Sequence, residues 1–309
     1  MRGHESRRMD RRAVNPALGA LLAGATFIAL SPIFVRESLA AGVGPTAAAF
    51  WRVALAVPVL WTVYALRHGP RARSYGGRRY SGRSPLLLAA ALAFAGDLAF
   101  WHKSIQLTSV ANATLLANLA SIFVTLAAWI FLRQRPTRMF LAGLGAALAG
   151  VALLVHTSVE FSSTGLAGDA LGVVTAMFYA GYLLAVKALR DRGEVTLHLM
   201  AVTTTITALL LFPVALAAGE PMIPRSAGGW GILIGLALIS HAAGQGLIAY
   251  ALAHLPAAFS SVSLLFQPVM AAIFAWLLLA EPLVALQIAG GVVVLVGIYL
   301  ARRGSSTGQ

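Results

Sequence analysis

The chain has 309 residues, 59% of them hydrophobic and only 11% charged, whereas ordinary globular domains carry about 25% charged residues. With a mean hydropathy of +0.81 and long apolar runs recurring from Pro16 to Leu300, this composition excludes an ordinary water-soluble domain and indicates a polytopic membrane protein. The lack of cysteine removes disulfides and thiolate chemistry, and the net charge of +13 does not signal nucleic acid, because 19 of the 23 Lys and Arg fall in five short connections or tails.

In chain order, a basic tail (1–15) precedes an apolar stretch of about 25 residues, too long for the core of a secretory signal and read as a retained membrane helix. Helices are predicted at Pro16 to Ala40, Pro45 to Leu66, Pro85 to Gln106, Ser109 to Leu132 and Met139 to Val155, making a first five-helix unit over 16–155. A linker over 156–167 leads to a second unit over 168–301. Its helices are predicted at Gly168 to Leu189, Thr196 to Ala218, Gly229 to Ala253, Pro256 to Ala280 and Leu283 to Ala301, before a tail over 302–309. Ten crossings bring the five basic segments to one side, which the positive-inside rule makes the cytoplasm, so both termini are expected there. Acidic residues Glu37, Glu160, Asp169, Glu220 and Glu281 fall in the opposite connections, and Arg67 to Ser84 is the one long cytoplasmic loop.

The two units carry a repeat. AAWIFLRQRPTRMFLAGLGAALAGVALL and FAWLLLAEPLVALQIAGGVVVLVGIYL align without a gap at a separation of 147 residues, placing Trp129 on Trp276, Gly143 on Gly290 and Gly150 on Gly297. Because each unit has five helices, an odd number, the second enters the membrane in the opposite sense. The expected fold is an all-α integral membrane protein of ten transmembrane helices, arranged as two five-helix inverted-topology repeats around a central cavity.

Polar residues at membrane depth ask for a partner, water or a role. Arg36, Lys103 and Lys187 lie near helix ends, within snorkelling reach of the interface. Arg52, about seven residues into the second helix, reads either as a snorkelling or ion-paired packing residue or as a contact for a carboxylate. Asp97 lies near mid-membrane in LAFAGDLAFWHKSIQLT and is too short to snorkel, while Trp101 and Ser104 follow on its helical face. It is either satisfied inside the packed bundle or exposed to a cavity. Asn118 belongs to a polar stripe with Thr114, Ser121 and Thr125, and Gln267 ends a stripe with Ser260 and Ser263 just before Pro268; both stripes suit close helix packing as well as a lining. His241 and Gln245, four apart, are expected to share a face. Tyr179, Tyr182 and Tyr250 stand on helices expected to line the centre, where aromatic rings can stack on cargo. Pro32, Pro58, Pro213 and Pro268 are expected to bend their helices.

FWRVALAVP, YALAHLPAA and LLLAEPLVALQIAGGVVVLVGIYL resemble the drug/metabolite transporter superfamily, EamA type, over nearly the whole span from Pro16 to Ala301. Within it the chain is most similar to the YddG-type aromatic amino-acid exporters. Ser121 stands where the second unit has Pro268, and Gln134 where it has Glu281, so roles do not transfer by symmetry between the halves. The resemblance implies a secondary carrier in the inner membrane that exports small metabolites by alternating access, with aromatic or neutral amino acids as the leading cargo. Amines, drugs or sugar derivatives are the alternatives. No cofactor and no nucleic-acid partner are expected; the partners are a small-molecule substrate and the bilayer, and proton coupling rests on Asp97 and His241. A receptor or channel stays open. An intramembrane aspartyl protease lacks its second carboxylate, since Asp10, Asp169 and Asp191 all fall at or outside helix ends.

Overall fold

The computed structural model describes residues 11–69, 84–155 and 165–306. Glu160, most of the Arg-rich loop and most of the predicted linker and tails fall outside the described residues. Ten helices are long and apolar enough to cross a membrane: α1 (Asn15–Ala40), α2 (Pro45–His68), α3 (Pro85–Leu107), α4 (Asn112–Phe131), α5 (Arg138–Val155), α6 (Gly165–Asp191), α7 (Thr196–Ala217), α8 (Ala227–Ala251), α9 (Ala257–Leu279) and α10 (Ala285–Ser305). No strand occurs among the described residues. Helices are what this composition allows, because backbone N–H and C=O groups in hydrocarbon must be satisfied within their own segment.

Among the helix contacts are α5 with α10, α3 with α6, α1 with α8, and α2 with α7. Exchanging each helix n with n+5 maps these four onto one another, whereas α4 packs on α6 more extensively than α9 does on α1. The repeat glycines explain the tightest pair. A Cβ on Gly143 would lie 2.6 Å from the Gly297 carbonyl oxygen, and one on Gly150 would lie 2.7 Å from that of Gly290, so four in-register glycines let α5 and α10 meet backbone to backbone, antiparallel. The turns that follow α4 and α9 agree as closely. Arg133 and Ala280, 147 residues apart, are the two non-glycine residues with positive φ among those described, at 55° and 54°. In each turn the N–H of that residue and the N–H of the next one close back on a single carbonyl, Ala128 O in the first and Ala275 O in the second.

Several helices are interrupted where proline demands it. α1 breaks at Ala29 and Leu30 ahead of Pro32, α2 at Leu55 ahead of Pro58, and α9 at Leu264 and Leu265 ahead of Pro268, since proline donates no bond to residue i−4 and crowds its carbonyl. α7 runs unbroken through Pro213. α4 is also interrupted, at Asn118 and Leu119, without proline. There the Asn118 side chain donates to the Thr114 carbonyl at 2.8 Å, and the Ser121 N–H and hydroxyl both turn to Asn118 O, at 3.3 and 3.0 Å, instead of to Ala117.

The first and last described helices end at one face, where Arg302 donates to Asn15 Oδ1 at 3.2 Å. At the opposite face Glu220, in the α7–α8 connection, ties three elements. It accepts from Thr46 N at 2.8 Å, Thr46 Oγ1 at 3.1 Å and Gln106 Nε2 at 2.6 Å, so it caps the N-terminus of α2 while holding the end of α3. Thr108 likewise donates to Asp169 at 2.8 Å. Glu220→Ala is expected to cost about 2 kcal/mol, the worth of charged hydrogen bonds at a helix start. Glu281→Ala breaks only an exposed pair with Arg36 (2.9 Å) and is expected to cost under about 1 kcal/mol. Thermal unfolding of the two variants in detergent checks the contrast.

Candidate substrate site

The interruptions of α1, α4 and α9 lie beside one another, and a cavity of about 110 Å³ opens among them. That volume holds several waters. Ile28 to Pro32 of α1, Asn118 of α4 and Gln267 with Pro268 of α9 border it, and α2, α3, α6 and α8 complete the wall. Below the cavity, toward the chain ends, the second segment of α4 (Ala120–Leu132) packs against the first segment of α9 (Ala257–Ser263). The opposite segments of α4 and α9, Val110–Ala117 and Phe266–Leu279, make no comparable contact. Along α4 and α9 the contact is therefore made on the side of the termini and not on the other, and a wider cavity of about 740 Å³, bordered by Thr125, Arg133, Lys187 and Ala258, opens beyond that contact at the terminal face.

Six of the ten residues singled out in the sequence border this cavity: Asp97, Trp101, Asn118, Tyr179, Gln245 and Gln267. Tyr179 faces the amides of both Gln245 and Gln267. Asp97 is only partly buried, and among the described residues it forms no hydrogen bond or ion pair, so its carboxylate is not consumed by helix packing. Trp101, one turn further, stands with its indole edge-on to His102 at 4.9 Å. His102 is turned away: its Nδ1 meets the Leu98 carbonyl at 2.7 Å and the ring is fully buried.

The other four lie elsewhere, each for a local reason. Ser104 is buried between α3 and α6, donating to the Gly168 carbonyl at 2.7 Å. Tyr182 packs against Phe94 at 4.7 Å, with its hydroxyl 4.0 Å from Met200 Sδ. Tyr250 is 42% exposed near the terminal face, beside His254. His241 sits behind Phe94, at 5.3 Å ring to ring, with Nε2 2.8 Å from Thr204 Oγ1. His241 and Gln245 stand on one stretch, Leu236–Gln245, that winds as a π-helix, and they meet different surroundings: Gln245 borders the cavity, while His241 lies against Thr204 of α7.

Arg52, for which the sequence left two readings open, is 4% exposed and borders the cavity. It does not snorkel, and its Nε has no acceptor. Ser31 Oγ, Thr114 Oγ1, Gln245 Oε1 and Gln267 Nε2 are likewise buried without a partner among the described residues, and all five side chains belong to the cavity wall. Buried polar atoms are usually paired with protein, water or ligand. Such a concentration in one wall marks a place built to hold something polar, flanked by Trp101 and Tyr179.

The EamA-like transporter family model matches this chain twice, over residues 15–156 and 166–303. The chain belongs to the EamA-like transporter family. As an EamA-like transporter it is 28% identical over 222 residues to the pseudopaline exporter CntI of Pseudomonas aeruginosa, covering 71% of this chain and 75% of that one. It is 28% identical over 277 residues to an uncharacterised transporter of Archaeoglobus fulgidus, covering 87% and 91%. A solved crystal structure at 16% identity superimposes with a TM-score of 0.75 over 95% of this EamA-like chain and 99% of its own, which establishes the likeness of fold. The two matched segments fall on α1 to α5 and α6 to α10. A multi-pass membrane transporter that handles a small-molecule substrate follows from the family and the ten spans together.

Proposed function

We propose that this protein is a secondary carrier of the inner membrane, with cytoplasmic termini, that exports small metabolites by alternating exposure of the cavity at the helix breaks. The observation that carries this reading is a one-sided contact: α4 and α9 pack together toward the termini and not toward the opposite face, and the polar cavity lies between these two regions. Two units over 16–155 and 168–301, inverted with respect to each other, give such a bundle two nearly equivalent ways to close. Four helix pairs that map onto one another when helices n and n+5 are exchanged support that organisation. The name of the Pseudomonas relative favours export as the direction.

Aromatic or neutral amino acids are the cargo we favour. Trp101 and Tyr179 offer rings for stacking, while Asn118, Gln245 and Gln267 offer neutral hydrogen-bonding groups. Proton coupling is an extension of this reading in which Asp97 exchanges a proton with the cavity.

The test is counterflow in liposomes preloaded with each of a panel of amino acids, amines, sugars and drugs, with and without an imposed pH gradient. Saturable uptake, accelerated by unlabelled amino acid on the far side, is expected. Unsaturable flux would identify a channel, and binding without flux a receptor.

A further inference from the structure

Arg52 and Asp97 are opposite charges in the wall of one small cavity, and they are not joined. Each lies within electrostatic reach of the other, yet no ion pair forms: their nitrogen and oxygen atoms stay beyond 4.0 Å. Neither side chain makes a hydrogen bond to any described residue, although Arg36 and Glu281 close at 2.9 Å and Lys187 and Asp191 at 2.6 Å. Two charges at membrane depth gain most by direct contact, because each left alone keeps its desolvation cost without the compensating attraction. Their neighbours do not discharge them. The phenols of Tyr179 and Tyr182 and the imidazoles of His102 and His241 are the other titratable groups within reach of Arg52. His102 is committed to Leu98 O through Nδ1, and His241 to Thr204.

We infer that Arg52 and Asp97 form a split pair that takes the two ends of a zwitterion, the guanidinium receiving the cargo's carboxylate and the carboxylate its ammonium. The inference rests on the carrier reading for the location of the cargo, and it assigns Arg52 and Asp97 as the residues that set charge specificity. A bound zwitterion completes each charge with the group it lacks: the planar fork of Arg52 matches a carboxylate, and Asp97 accepts from an ammonium. A cargo bearing one charge satisfies one wall and leaves the other bare, at the full cost of an unpaired buried ion. The split therefore selects for a net-neutral molecule carrying both groups, while the rings of Trp101 and Tyr179 are left to read its side chain.

The test uses two triplets of probes differing only in their charged ends: phenylalanine, phenethylamine and 3-phenylpropionate; and leucine, isoamylamine and 4-methylpentanoate. Binding is measured by equilibrium dialysis on the purified full-length protein, and flux is measured separately in liposomes. The wild type is expected to bind at least one amino acid about tenfold or more tightly than its amine and acid analogues. Arg52→Gln is expected to lose that preference by weakening the amino acid and the acid while sparing the amine. Asp97→Asn should do the reverse, sparing the acid. Arg52→Lys, which keeps the charge without the fork, should retain part of the preference and so separates a binding role from a folding defect. Analogues that bind the wild type as well as the amino acids do, or variants that weaken all three probes of a triplet alike, overturn the split pair. Charge-dependent binding without flux would leave the split pair standing and remove the carrier. Counterflow without charge discrimination would do the opposite.

Discussion

Gly297→Ala is expected to be among the most destabilising single-methyl changes in this protein, costing about 3 kcal/mol. The added Cβ would lie 2.4 Å from Ala147 N, 2.7 Å from Gly143 O and 2.8 Å from Ala147 Cα. These are backbone atoms of α5 and cannot rotate aside, so the two helices must separate and the facing pair Gly150 and Gly290 loses contact with them. Overpacking of a tight core costs about 1–3 kcal/mol, and a whole seam in register sits at the upper end. Gly145→Ala, on α5 itself, meets nothing within 4 Å and is expected to be neutral or slightly stabilising through helix propensity. Melting in detergent, read with the monodisperse fraction on size exclusion, checks both. Equal behaviour of the two variants would mean that the α5–α10 seam does not hold the fold.

The second large effect is expected on transport alone. Ala117 closes the first segment of α4 and borders the cavity, and its own carbonyl is bypassed by Ser121. Ala117→Phe would place an aromatic ring into a space of about 110 Å³ and leave no room for cargo. Flux should fall by about 100-fold or more, the factor that losing about 3 kcal/mol of cargo binding produces. The melting temperature should stay within a few degrees of the wild type, because the ring fills a void and displaces no packed neighbour. Counterflow and melting curves on the same preparation decide the matter; undiminished flux would put the path elsewhere.

The spans were readable because hydrocarbon permits so little: a run of about 20 apolar residues has no alternative to a helix. The breaks in α1, α2 and α9 were readable in the same way, since each prepares for a proline. Three features were hidden. The break at Asn118 depends on an amide finding the carbonyl one turn back, an option that any helical asparagine has and few exercise. The π-helix over Leu236–Gln245 has no sequence mark, and neither has the placing of His241 against Thr204 while Gln245 borders the cavity. Arg52 was ambiguous because its depth in the sequence allowed snorkelling; only the packing around α2 shows that it turns inward. Ser104 and Tyr182 follow the same pattern, since a face of a helix becomes a lining or a contact according to which neighbour comes to cover it.

The two bends that meet at the cavity differ in permanence. Pro268 has no N–H to give, so α9 stays interrupted in every arrangement of the bundle. Ser121, its counterpart, keeps its N–H and merely points it at Asn118, so α4 retains the donor that a continuous ladder needs. One half of the molecule thus carries a fixed elbow and the other a reversible one. In the proposed alternation, exchanging the roles of the halves does not produce a mirror image, and the two end states are expected to differ in energy before any cargo or gradient acts. Ser121→Pro would make both elbows rigid and bring the two states closer to balance.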